Sequence, residues 1–161
     1  MTQSESFSQA PEIAVSRWFN TDVPLTLAGL CGEVVMLHAF QMLCAGCVLQ
    51  ATPQAVRMWL RFREAGLKVI GLHTVFEHHE VMTPAALAVY LHEFRIPFPV
   101  GVDVALPDIP IPRTMAAYRL QGTPSTLLID RTGRLRYHRF GMEADEVLAS
   151  EIARLLDEKK A

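Results

Sequence analysis

A chain of 161 residues, half of them apolar and a fifth charged, is sized for one domain with its own core and needs neither a metal nor a disulfide framework to hold it. A net charge of −2 leaves no electrostatic footprint for nucleic acid. No apolar run reaches the roughly 20 residues that would cross a bilayer, so neither nucleic acid nor membrane is an expected partner.

The start, MTQSESFSQAPE, is polar and lacks the basic residues and apolar run of a signal peptide. It reads as a flexible segment over residues 1–12, with a single domain over 13–161. This points to the cytoplasm. A chain already trimmed of a secretory signal would read the same way and would point to the periplasm.

Ile13 to Asn20 reads as a short strand, and Leu25 to Leu30 leads through Gly32 into the main one. Cys31, left over from an odd total of three cysteines, is a turn thiol with no assigned role. Val34 to Phe40 is a buried strand, followed by Gln41-Met42-Leu43 and then Cys44-Ala45-Gly46-Cys47. From Cys47 a helix runs to about Glu64, stopped by Gly66, with Val48, Ala51, Ala55, Met58, Trp59 and Phe62 at helical spacing. Pro53 should kink it. Leu67 to Leu72 is a second buried strand, and His73 to Thr83 is a loop rich in His and Glu. Pro84 opens a helix to about Phe94, and Phe98 to Asp103 is a short strand. Three prolines rule out a central strand over 105–112. A short helix, Arg113 to Gln121, precedes the strand Thr126 to Asp130. That strand pairs through the turn Arg131-Thr132-Gly133 with Leu135 to Phe140. Glu143 to Glu158 is the last helix, its apolar stripe made of Val147, Leu148, Ile152, Leu155 and Leu156. Alternating strands and helices that end in a hairpin describe an α/β fold, a central mixed sheet with helices on both faces.

The chemistry concentrates where the strand ending at Phe40 meets the helix. A thiol at a helix N-terminus faces unpaired backbone N–H groups and the positive end of the dipole, which favour thiolate. A second thiol three residues on can close a small disulfide ring, the requirement for thiol–disulfide exchange. Strand alternation puts His38 on one face with Val34, Met36 and Phe40. If that face meets the helix, neutral His38 could accept the Cys47 proton. The other reading is a buried histidine bonded to a backbone carbonyl.

Cys44-Ala45-Gly46-Cys47, Pro53, Phe98-Pro99-Val100 with Asp103, and Gly122-Thr123-Pro124 occur in an order that resembles the thioredoxin fold over about residues 14–156. The resemblance is closest to its redoxin branch, the TlpA-like and AhpC/TSA-like proteins. It implies an added N-terminal β-hairpin made of the segments 13–20 and 25–30. It also implies a cis Pro124 facing the CxxC, with the Thr123 carbonyl presented to a bound peptide. Leu43 stands on the substrate-facing surface where the family usually carries Trp. Gln50 replaces the acidic residue of the TlpA-like pattern, Pro53 falls one place late so that the helix kink shifts or bulges, and His38 takes the position of thioredoxin's buried Asp.

The expected function is therefore a thiol–disulfide oxidoreductase without cofactor or metal. Cys44 attacks a substrate disulfide, and Cys47 resolves the mixed disulfide. A cytoplasmic setting and the uncharged Ala45-Gly46 pair favour the reductant direction. The partners would be a disulfide-containing protein or small molecule and a dithiol or reductase electron donor. Met42, Leu43, Phe76 and Phe98 offer an apolar rim for a partner or a homodimer. Three other readings compete. A peroxidase would need PxxxTxxC, whose Thr and Pro places hold Gln41 and Leu37. A metal-binding module would join the two thiols with His73, His78 or His79. An interaction protein would make little use of its cysteines.

Overall fold

The structure, a computed structural model, describes residues 7–159. Its centre is β2 (Val34–Phe40), seven residues buried without exception. On one side β2 pairs in parallel with β3 (Leu67–His73), which pairs in parallel with β4 (Val100–Asp103). On the other side it pairs antiparallel with β5 (Ser125–Ile129), which forms a hairpin with β6 (Leu135–Phe140). With β1 (Val15–Phe19) the order across the sheet is β1-β4-β3-β2-β5-β6. The mixed sheet and α/β class are those expected.

Helices cover both faces because β2 alternates between two apolar clusters. Val34, Met36 and Phe40 pack with α1 (Thr52–Phe62), α2 (Pro84–Glu93) and α4 (Asp145–Asp157). Val35, Leu37 and Ala39 pack with Met115 of α3 (Arg113–Ala117), Tyr118, Leu120 and the N-terminal segment.

The N-terminal hairpin expected from the resemblance does not form. β1 pairs antiparallel with β4 at the sheet edge. Gly101 permits the close approach there, since a Cβ on it would stand 2.7 Å from Val15. Segment 25–30 instead sends Leu25, Leu27 and Leu30 into the second cluster. Its backbone N–H groups are claimed by a side chain: the Glu12 carboxylate accepts from Leu27 at 2.6 Å and Ala28 at 3.2 Å. The flexible segment expected over 1–12 also divides. Residues 1–6 lie outside the described residues. Beyond them, Ser8 and Ala10 exchange backbone hydrogen bonds with Leu135 and Gly133, and Pro11 accepts the Tyr118 hydroxyl at 2.6 Å.

After the CxxC the backbone makes a π-helical turn, Cys47–Ala51, before α1. The Thr52 N–H reaches back five residues to the Cys47 carbonyl. This wide turn absorbs the extra residue ahead of Pro53. Pro53 then falls in the first turn of α1, where proline's fixed φ suits the helix. In α4 the buried stripe is Leu148, Ala149, Ile152 and Leu155, while the expected core residue Val147 is 46% exposed. The start of α4 is oriented by Arg57, which grips Asp145 through two bonds of 2.6 and 2.9 Å, and by Gln54, which donates to it at 2.9 Å.

Candidate active site at the Cys44–Cys47 turn

β2 delivers Gln41-Met42-Leu43 and then Cys44 at its C-terminal end, in the middle of the sheet. The backbone turns at once, with the Cys44 N–H donating to the Gln41 carbonyl at 3.0 Å and the Val48 N–H to the Cys44 carbonyl at 2.9 Å. Both thiols are free; Cys44 is half-buried and Cys47 is fully buried. The Cys47 N–H donates to Cys44 Sγ at 3.4 Å, so the first sulfur sits over the opening turn. Cys44 Sγ in turn lies 3.6 Å from the Thr123 carbonyl. The Thr123–Pro124 peptide bond is cis. A Cβ on Gly46 would stand 3.5 Å from Pro124 Cδ, so the proline ring faces the CxxC turn directly.

The two thiols differ in environment. Burial, reinforced by the hydrogen bond with Cys44, pushes the Cys47 thiol up to about 12. The backbone of Gln41 and the side chain of Thr123 pull in the opposite direction. The inner sulfur is thus held as a thiol, while the outer one is open to a substrate.

The chain as a whole has similar solved structures. A thioredoxin-like superfamily protein of known crystal structure is 52% identical, covers 97% of this chain and 100% of its own, and superposes at a TM-score of 0.93. The chain belongs to the thioredoxin-like superfamily. A thiol-disulfide isomerase from Corynebacterium glutamicum is 47% identical over 93% of this chain and 98% of its own, at a TM-score of 0.88. Among curated proteins, protein DipZ of Mycobacterium bovis and of Mycobacterium tuberculosis is 30% identical over 98% of the chain. The chain spans 22% of the length of these curated relatives. No family model matches.

Cys44, Cys47, Thr123 and Pro124 lie together at this turn. Leu43 stands at the rim, 57% exposed, at the mouth of an apolar cavity of about 750 Å³ between the CxxC turn and α2, with Leu49, Val89 and Phe94 also on its wall. Phe98, expected on that rim, is fully buried in the core.

His38 is placed differently. It is fully buried beside Phe40, ring over ring at 5.2 Å, and its Nε2 is 2.9 Å from the Thr52 hydroxyl rather than from a backbone carbonyl. Its Nδ1 has no partner, and no hydrogen bond joins it to Cys47. Burial lowers its pKa to about 4, so the ring is neutral at ordinary pH.

His73, read as part of a polar loop, is the last residue of β3 and 1% exposed. Its Nε2 accepts the Met42 N–H at 3.1 Å, which steadies the approach to Cys44, and burial lowers its pKa to about 4. His79 turns away, its Nε2 3.1 Å from the Pro110 carbonyl. Among the described residues no three His, Cys, Asp or Glu side chains gather as a metal site.

In the sequence Gln41 stands out only as the residue at the place of a peroxidatic threonine. It is fully buried and bonded to three other residues around the site. The signal for it was an amide ending an otherwise apolar strand.

Proposed function

We propose that this chain is a thiol–disulfide oxidoreductase working through Cys44 and Cys47. The observation that carries the reading is the pairing of a half-buried sulfur with a fully buried one, linked by the 3.4 Å bond from the Cys47 N–H to Cys44 Sγ, opposite the Thr123–Pro124 turn. The likeness to the thiol-disulfide isomerase from Corynebacterium glutamicum supports it.

Cys44, as thiolate, attacks one sulfur of a substrate disulfide. The S–S bond breaks, and the other substrate sulfur leaves as a thiolate that takes up a proton. Cys47 Sγ then attacks Cys44 Sγ, its proton passing to the second substrate sulfur as that sulfur's bond to Cys44 breaks; the substrate leaves as a thiol and the Cys44–Cys47 disulfide remains. Burial keeps Cys47 as a thiol while Cys44 is free. The Thr123 carbonyl pairs with a backbone N–H of a peptide substrate, Pro124 shapes that turn, and Leu43 supplies an apolar ledge beside Cys44.

The substrate is a disulfide-containing protein or small molecule, and the reducing equivalents come from a dithiol or reductase donor. The direction proposed is reduction of the substrate, because Ala45-Gly46 places no cation between the sulfurs. An equilibrium redox titration of the Cys44/Cys47 pair tests it. A potential near about −270 mV supports a reductant, and one near about −120 mV reverses the direction. Cys47→Ser should trap a mixed disulfide on Cys44; a protein that traps nothing would leave only the scaffold.

A further inference from the structure

The geometry points to Gln41 as a positioning residue: its buried amide holds the Thr123 turn in register with Cys44, so that a disulfide carried on a peptide is presented in line with the sulfur. The inference rests on the oxidoreductase reading above and adds the residue that favours peptide-borne over small disulfides.

Gln41 is fully buried, three places before Cys44. Its Oε1 accepts the Phe76 N–H at 3.2 Å, while its Nε2 donates to Thr123 Oγ1 at 3.2 Å and to Glu77 Oε1 at 3.3 Å. A backbone N–H can only donate, so the Phe76 contact fixes which end of the amide is oxygen. Both amide hydrogens are then committed, one to each remaining partner. The backbone of the same residue accepts the Cys44 N–H at 3.0 Å. One residue therefore grips Cys44 through its main chain and the Thr123 turn through its side chain. The 3.6 Å separation of Cys44 Sγ from the Thr123 carbonyl is set between those two grips. The bonds to Phe76 and Glu77 tie the segment after β3 to the same point.

Gln41 exchanges no proton or electron in the reaction. Its effect falls on substrates that use the Thr123 carbonyl. A peptide pairs its backbone there, whereas a small disulfide meets only the exposed sulfur.

The test compares the whole chain with Gln41→Met, which keeps the volume and removes every amide bond. The kcat and KM are measured for a disulfide-bonded peptide and for a small aromatic disulfide, with dithiothreitol as reductant. The expected result is a fall of about tenfold in the ratio of kcat/KM for the peptide to that for the small disulfide, carried by the KM of the peptide. Equal losses on both substrates, or no change in the ratio, would overturn the inference. If Gln41→Met does not fold, Thr123→Val decides. It keeps the carbonyl and deletes the hydroxyl that the amide grips, and it should lower the ratio in the same direction; an unchanged ratio overturns the inference. Wild-type protein that reduces neither disulfide refutes the oxidoreductase reading itself, a failure separable from an active protein whose variants show no selectivity.

Discussion

The two faces of β2 are built to different rules. Val35, Leu37 and Ala39 enter a cluster of ordinary apolar packing with Met115 and Leu127. Val34, Met36, His38 and Phe40 face the thiol helix, and there the core admits polar groups: His38 against Thr52, Cys47 beneath Cys44, and His73 alongside. A buried polar group stabilises little unless bonded and destabilises when orphaned. The histidines gather on the face under the reactive turn; the plain face is apolar at Val35, Leu37 and Ala39 and turns polar beyond them, at Ser125 opposite Ala39 and at Gln41.

The largest expected effect separates chemistry from scaffold. Cys44→Ser should lower disulfide exchange by on the order of a thousandfold, with thermal unfolding little changed. Next, Leu37→Ala on the plain face should lower stability by about 2–5 kcal/mol in a denaturant titration. Exchange measured well below its melting temperature should stay at the wild-type rate. Met36→Ala on the other face should lose similar stability and also alter exchange. If the two variants behave alike, the division between the faces is wrong.

A third test uses pH. His38 and His73 are held neutral down to about 4, whereas in the unfolded chain both take up a proton below 6.5. The unfolded state binds more protons between these values. The stability contributed by neutral burial is therefore full above 6.5 and is lost as pH falls through about 4. The loss is on the order of a few kcal/mol, and His38→Leu should remove about half of it, as read from denaturant midpoints across that window. The same variant should leave the pH dependence of the Cys47 step unchanged, because the His38 ring is bonded to Thr52. A shifted profile would make His38 the proton acceptor.

The smallest effect lies at the start of α4. The Arg57 guanidinium, with help from Gln54, holds Asp145 at about 2, below its ordinary 3.8. Its contribution is present above 3.8 and lost as pH falls through about 2. The pair is partly exposed, so Arg57→Ala should cost under about 1 kcal/mol at neutral pH and nothing measurable near pH 2. Unfolding curves at the two pH values check it.

Sequence by itself determined the parts of this protein that rest on local pattern. β2 is a largely apolar run, α1 and α2 carry helical spacing, Pro84 opens α2, and Gly66 at a φ of 107° closes the 3-10 turn Arg63–Ala65 that follows α1, where a side chain would be strained. Cys44 and Cys47 declared themselves by spacing alone, since three residues are one helical step. Only the tertiary structure decided the rest, because it depends on which backbone and side-chain groups remain unpaired once the sheet has assembled. Segment 25–30 had the composition of a strand, yet Glu12 captured its N–H groups and β4 offered β1 the open edge. His73 and Gln41 looked like the start of a polar loop and a break after a strand. They became buried groups because the Met42 N–H, the Phe76 N–H and the Thr123 hydroxyl, from distant parts of the chain, needed partners at one point.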